Sequence, residues 1–162
     1  MSFSIQLSTD LVQVDPGASV PLTITFHNRS AEADRYEIDI EGIDPEWKMI
    51  PVPVFSAEPN EEHTERVFLK PPRSSESLAG TYPFVVKVRS LSSGEAKTLQ
   101  GVLEVKPFHH ITMDVQPKKG FVSPFRKMNT FEVTVINLGN TSENVQLTAS
   151  DPEDDCTYEF EQ

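Results

Sequence analysis

The residues able to do chemistry are few and scattered. Asp151, Glu153, Asp154 and Asp155 place four carboxylates within five residues, the densest acid cluster in the chain. Calcium is held by several oxygen ligands, so if a cation binds anywhere, this loop supplies its donors. The related triplet Asp44-Pro45-Glu46 reads as a plain turn, and acid-rich loops are ordinarily just solvated. Of the four histidines, His27 and His63 are isolated, while His109 and His110 are adjacent with Asp114 nearby. Consecutive side chains of an extended segment point to opposite faces, so the adjacent pair does not converge on one metal. Ser74, Ser75 and Ser77 with Glu76 form a polar loop, with neither a G-x-S-x-G elbow nor a Ser/His/Asp arrangement. No glycosidase pair stands out among 25 acidic residues. Cys156 alternates with Tyr158 and Phe160 and reads as a small buried residue with no base beside it. The sequence therefore calls for no catalytic group, no resident metal and no cofactor.

Two aromatic residues admit both a structural and a binding role. Tyr82 lies two residues before Phe84 at the start of an alternating run, where its hydroxyl can bond back to the upstream loop and pin a corner. Trp47 follows a Gly-Ile-Asp-Pro-Glu turn and reads as core filling beside Tyr82, or as a cap on one end of the fold. An exposed Trp47 would instead offer a stacking surface for sugars. Asn28-Arg29-Ser30 and Asn140-Thr141-Ser142 match the glycosylation acceptor pattern, but both fall in turns where asparagine serves the backbone, and they are assigned to turn chemistry.

The elements that position these groups are strands. Val20, Leu22, Ile24 and Phe26 alternate with Pro21, Thr23 and Thr25, and Tyr36, Ile38 and Ile40 alternate with Glu37 and Asp39. Period-two alternation predicts half-buried antiparallel strands. Similar runs cover Phe3 to Leu7, continuing through Leu11 to Val14 after a kink at Thr9-Asp10, then Thr64 to Lys70, Thr81 to Ser90 and Leu99 to Val105. Pro51 and Pro53 punctuate Val52, Val54 and Phe55, which places that stretch at a sheet edge, because proline cannot donate to a ladder. With turn signals at roughly ten-residue spacing, the pattern predicts an all-β immunoglobulin-like sandwich.

The pattern then restarts. Phe131 to Asn137 repeats Leu22 to Asn28 at a constant offset of 109 residues (137 − 28), and the same offset carries Tyr36 to Val145 and Ile38 to Leu147. This predicts tandem sandwiches: residues 1–106 a complete one, residues 107–162 the first half of a second, joined stiffly at Lys106-Pro107-Phe108. A half-sandwich would leave about eight apolar side chains in water (Ile111, Met113, Val115, Phe131, Val133, Val135, Val145, Leu147), each worth ~1.5–3 kcal/mol when buried. The expectation is an N-terminal piece of a longer protein, or a chain completed by self-association.

The chain has 162 residues and a formal net charge of −11. That charge repels nucleic acid and anionic membranes. No apolar run approaches the roughly 20 residues that span a bilayer, so direct membrane insertion is not expected. MSFSIQLSTD lacks the basic and apolar regions of a signal peptide. If Met1 is the native start the protein is cytoplasmic; otherwise it belongs at the cell surface or attached to a membrane.

Several stretches resemble the α-galactosidase-associated (NPCBM-associated) family of prokaryotic Ig-like modules: Val14-Asp15-Pro16-Gly17, Phe26-His27-Asn28-Arg29-Ser30, Gly42 to Trp47, and Pro71-Pro72-Arg73 through Ala79-Gly80-Thr81-Tyr82-Pro83-Phe84. The resemblance implies a non-catalytic spacer or protein–protein interaction unit within a larger prokaryotic protein, some such modules being attached to hydrolases. The alternative is a carbohydrate-binding accessory module of a glycoside hydrolase. A protein partner is expected to meet Val52, Val54 and Phe55 at the sheet edge, or Arg73, Ser75 and Glu76 on the long Pro71 to Gly80 loop; an unpaired edge accepts a strand from a partner.

Overall fold

The computed structural model describes residues 2–125, 127–153 and 155–162. Among them, nine strands precede the connector at residues 106–110: β1 (Phe3–Leu7), β2 (Leu11–Val14), β3 (Val20–Asn28), β4 (Asp34–Glu41), β5 (Lys48–Met49), β6 (Val54–Ala57), β7 (Glu62–Leu69), β8 (Gly80–Ser90) and β9 (Ala96–Val105). They form two sheets, in the orders β1-β3-β7-β5 and β2-β9-β8-β4-β6. All pairs are antiparallel except β2 with β9. The result is an immunoglobulin-like sandwich, as the alternation predicts. Among the described residues no helix is long and apolar enough to cross a membrane.

The kink at Thr9-Asp10 is the point where the chain leaves one sheet for the other: β1 pairs with β3, and β2 with β9. The stretch with Pro51 and Pro53 does the same, since β5 edges the first sheet and β6 the second. Pro21 and Pro83 lie inside strands without breaking a ladder. β1 reaches β3 only over Ile24 to Asn28, and β4 reaches β8 only from Val85 onward, so each proline nitrogen faces a bare stretch.

The buried core draws on both sheets, and all its members lie between Phe3 and Val105. Phe3, Phe26, Tyr36 and Phe55 form one aromatic cluster, with ring centroids 4.2 to 5.7 Å apart. Gly101 lies directly opposite Phe84 in the β8–β9 ladder, and the Phe84 ring covers it.

Beyond the connector, β10 (Ile111–Gln116) and β11 (Glu132–Asn137) form a separate antiparallel ribbon. Its register follows that of the β1–β3 pair. Phe3 faces Asn28 and Leu7 faces Ile24 in one; Ile111 faces Asn137 and Val115 faces Val133 in the other. The asparagines act alike. Asn28 Oδ1 accepts from Ser30 N (2.9 Å) and its Nδ2 donates to Glu32 O (3.1 Å); Asn137 Oδ1 accepts from Gly139 N (3.0 Å) and its Nδ2 donates to Thr141 O (2.8 Å). The correspondence ends there. Val145 to Ser150, aligned in sequence with β4, form no strand. β4 is held between β6 and β8, and no described residue after Asn137 supplies such neighbours.

Candidate functional site

Three surfaces carry the residues expected to meet a partner. The first is the side of the sandwich where β6 and β7 meet. The Ile38 amide donates to Pro53 O (2.8 Å), so Pro53, Phe55 and Ala57 turn their backbone groups to β4, while Val54 and Ser56 turn theirs outward from the last strand of the sheet. Phe55 itself is core: its ring packs on Phe26 and Tyr36 and stacks on His63 at 4.8 Å. Of the three residues expected at this edge, Val52 is exposed and Val54 half-buried, and these two present side chains there. The His63 stack brings β7 to the same side. β5 covers only Phe68 and Leu69 of that strand, leaving the outward amides and carbonyls of Glu62, Thr64 and Arg66 without a neighbouring strand among the described residues. No local pattern signals this second bare edge, because the shortness of β5 comes from the crossing at Pro51 and Pro53.

The second surface is the Pro71 to Gly80 loop. Ser75 and Glu76 are exposed. Arg73 is exposed and lays its guanidinium over the Phe108 ring of the connector, 4.3 Å from its centroid. The loop is braced from within. Ser77, fully buried, donates to Pro72 O (2.6 Å), and Tyr82 donates its hydroxyl to Leu78 O (2.6 Å), the corner bond expected of it. Trp47 is 7% exposed and meets Tyr82 edge-on at 5.0 Å. Its indole is therefore packing for this end of the sandwich and offers no open face on which a sugar ring stacks.

The third surface is the ribbon. Cross-strand pairing puts Met113 beside Val135 and Val115 beside Val133, so Ile111, Met113, Val115, Val133 and Val135 share one face, with Phe131 just before β11. Asn137, opposite Ile111, joins that face, and Thr112, Asp114, Gln116, Glu132, Thr134 and Ile136 occupy the other. Ile111, Met113 and Phe131 are exposed, Met113 by 63%, while Val115, Val133 and Val135 are half-buried.

The remaining chemical groups stand apart. Asp151 Oδ2 accepts the Asp155 amide (2.9 Å), a turn contact, and Glu153 is exposed; Asp154 lies outside the described residues. Among the described residues no three metal-ligating side chains converge. His109 contacts Glu143, and His63 contacts Glu65 at 2.6 Å. Cys156 is exposed, contrary to its sequence pattern, because Cys156 to Phe160 form no strand and pack on no core. Within the sandwich, Asp34 and Asp39 are held below their usual range. Burial raises the Asp34 pKa, but hydrogen bonds from Ser90, Ser92 and the Arg35 amide outweigh it. Burial likewise raises Asp39, and Lys48 Nζ at 2.8 Å with the Ile40 amide brings it down. Both serve to tie strands and turns together.

No protein-family model matches the chain, and no curated protein matches it. Solved structures do. One is a family 123 glycoside hydrolase from Clostridium perfringens, described for glycolipid glycan hydrolysis, at 10% identity and a TM-score of 0.55 over 65% of this chain. Another is a FixG-related protein from Vibrio parahaemolyticus, at 11% identity and a TM-score of 0.54, also over 65% of this chain. The matched part spans 27% of the hydrolase and 98% of the FixG-related chain. Identities this low establish a shared sandwich fold and nothing further.

Proposed function

We propose that the chain is a non-catalytic Ig-like module that works through protein contacts, as a spacer or adaptor in a larger prokaryotic assembly, and that β10–β11 is the opening hairpin of a second module. The apolar face of that ribbon carries the reading. Six apolar side chains on one face of a two-stranded ribbon are not stable in water. The occupant is a second copy of the chain, whose ribbon offers the same face and the same bare edges. With Ile111, Met113 and Phe131 exposed and the three valines half-buried, the face offers less than the ~800 Å² per partner of a standard interface. Association is accordingly expected in the micromolar range. A net charge of −11 on each copy opposes it, so added salt should strengthen the dimer.

Light scattering coupled to size-exclusion chromatography tests this. The parent is expected to show a concentration-dependent dimer at 0.5 M salt, and Met113→Asp, in the middle of the face, a monomer with the sandwich's thermal transition intact. A parent that stays monomeric at 100 µM in that salt, or a Met113→Asp variant that dimerises equally well, refutes the proposal.

A further inference from the structure

The sandwich and the ribbon meet at Asn140, which is 1% exposed. Its Oδ1 accepts the Phe108 amide (2.7 Å), and its Nδ2 donates to Ser77 O (2.9 Å) and to Lys106 O (2.9 Å). Its own backbone continues the work: the amide donates to Phe108 O (3.3 Å), and the carbonyl accepts from Ala79 N (2.9 Å). One residue thus joins the sandwich's long loop, at Ser77 and Ala79, to the connector, at Lys106 and Phe108. The loop it enters is already braced by Ser77 and Tyr82, and Arg73 covers the connector's Phe108.

The internal repeat shows what these contacts are for. Asn137 is the counterpart of Asn28 and makes the same turn bonds, so the turn after β11 needs no second asparagine. At the same offset Gly139 corresponds to Ser30 and Asn140 to Ala31. A Cβ on Gly139 would stand 2.5 Å from Phe108 O and 3.1 Å from His110 N. The sandwich's own turn carries a serine and an alanine at these places. The two departures therefore sit where the turn touches the joint.

We propose that Gly139 and Asn140 are an inter-module lock, and that the Pro71 to Gly80 loop is the receptor surface for the module that follows. The glycine lets the turn lie against the connector, and the asparagine bridges the sandwich's loop and the connector. The two units then hold one orientation, which a proline-stiffened connector alone does not fix. While the lock is closed the inner rim of the loop, at Ser77 and Ala79, is occupied, and an outside partner meets the exposed side of the loop, Ser75, Glu76 and Leu78 among it. Both amide hydrogens of Asn140 are used, so a glycan at Asn140-Thr141-Ser142 is incompatible with the closed joint. The lock does not depend on what covers the ribbon.

Distance measurement between nitroxide labels tests it, using the whole chain with Cys156→Ser and labels on Thr98→Cys and Thr134→Cys, both exposed. Measurement in dilute, low-salt solution keeps pairs from different molecules out of the signal. The expected result is one narrow distance distribution. Asn140→Asp keeps the shape but turns a carboxylate toward two carbonyls, and Gly139→Ala forces the turn off the connector; each should widen the distribution at least two-fold and leave the sandwich's melting temperature unchanged. A broad distribution in the parent, or unchanged narrow ones in both variants, overturns the lock. So does loss of the sandwich's thermal transition in Asn140→Asp, which would make Asn140 a folding residue.

Discussion

Asn28 offers the sharpest test of how the sandwich is held at its β3 end. The residue is fully buried. Its Nδ2 lies 3.1 Å from Glu32 O, 3.2 Å from Ala57 O and 3.1 Å from Glu58 O, and its Oδ1 accepts from the Ser30 amide (2.9 Å) and hydroxyl (2.8 Å). The side chain therefore ties the end of β3 to its own turn and to the end of β6, across the two sheets. Asn28→Ala leaves the Ala57 contact unpaired in a buried setting, at about 1–3 kcal/mol, while the half-exposed groups recover water and cost less. A total of about 2–4 kcal/mol is a large part of the 5–15 kcal/mol that typically holds a domain together. For a unit of roughly 100 residues this means a melting temperature lower by at least about 8 °C in circular dichroism. Asn137→Ala removes the same turn geometry from an exposed site and should cost under ~1 kcal/mol. An Asn28→Ala transition within about 3 °C of the parent, or an Asn137→Ala loss as large as that of Asn28→Ala, would refute the assignment.

Two further outcomes follow from the packing. In Gly101→Ala the new Cβ would sit 2.4 Å from Phe84 Cζ, with the ring enclosed by the core; overpacking of this kind costs about 1–3 kcal/mol, and Phe84→Leu in the same chain should recover part of the loss in a double-mutant melt, whereas strictly additive losses would show that the ring is not the obstacle. Asp34 has a depressed pKa in the fold, so its contribution to stability is present above the unfolded-state value and is lost as pH falls through the folded one. The melting temperature should be level from pH 7 to 5 with respect to this group and fall below about pH 4, with a smaller fall in Asp34→Asn; a steeper one would contradict the sign.

How legible all this was depended on the range of the interactions. Strands with one face in the core announce themselves residue by residue: Leu22, Ile24 and Phe26 against Thr23 and Thr25, or Phe84, Val86 and Val88 against Val85 and Lys87. The Tyr82 corner was readable too, because donor and acceptor lie four residues apart. Which sheet a strand joins was not readable. The crossings at Thr9-Asp10 and at Pro51 to Pro53 look like a kink and a broken edge until partners from Leu69, Val102 and Glu37 are seen beside them. Phe55 was misjudged for the same reason. Alternation says that Val54 and Phe55 face opposite ways, and only the aromatic cluster decides which of them faces in.

The segment after Asn137 shows what sequence pattern alone does not determine. Tyr36, Ile38 and Ile40 form a strand with Val88, Val86 and Ser90 as ladder neighbours and a facing sheet to cover them. Val145 and Leu147 carry the same alternation and form none. An isolated strand fixes two dihedrals per residue and gains little until its ladder and its face are both occupied. Alternation therefore records what a segment does when its neighbours are present, and the ribbon marks the limit of what this stretch does without them. The joint obeys the opposite rule. Asn140 satisfies its hydrogen-bonding groups from two segments far apart in sequence, so its role rests on their arrangement and left only one local trace, the Gly139-Asn140 pair standing where the matching stretch at the 109-residue offset has Ser30-Ala31.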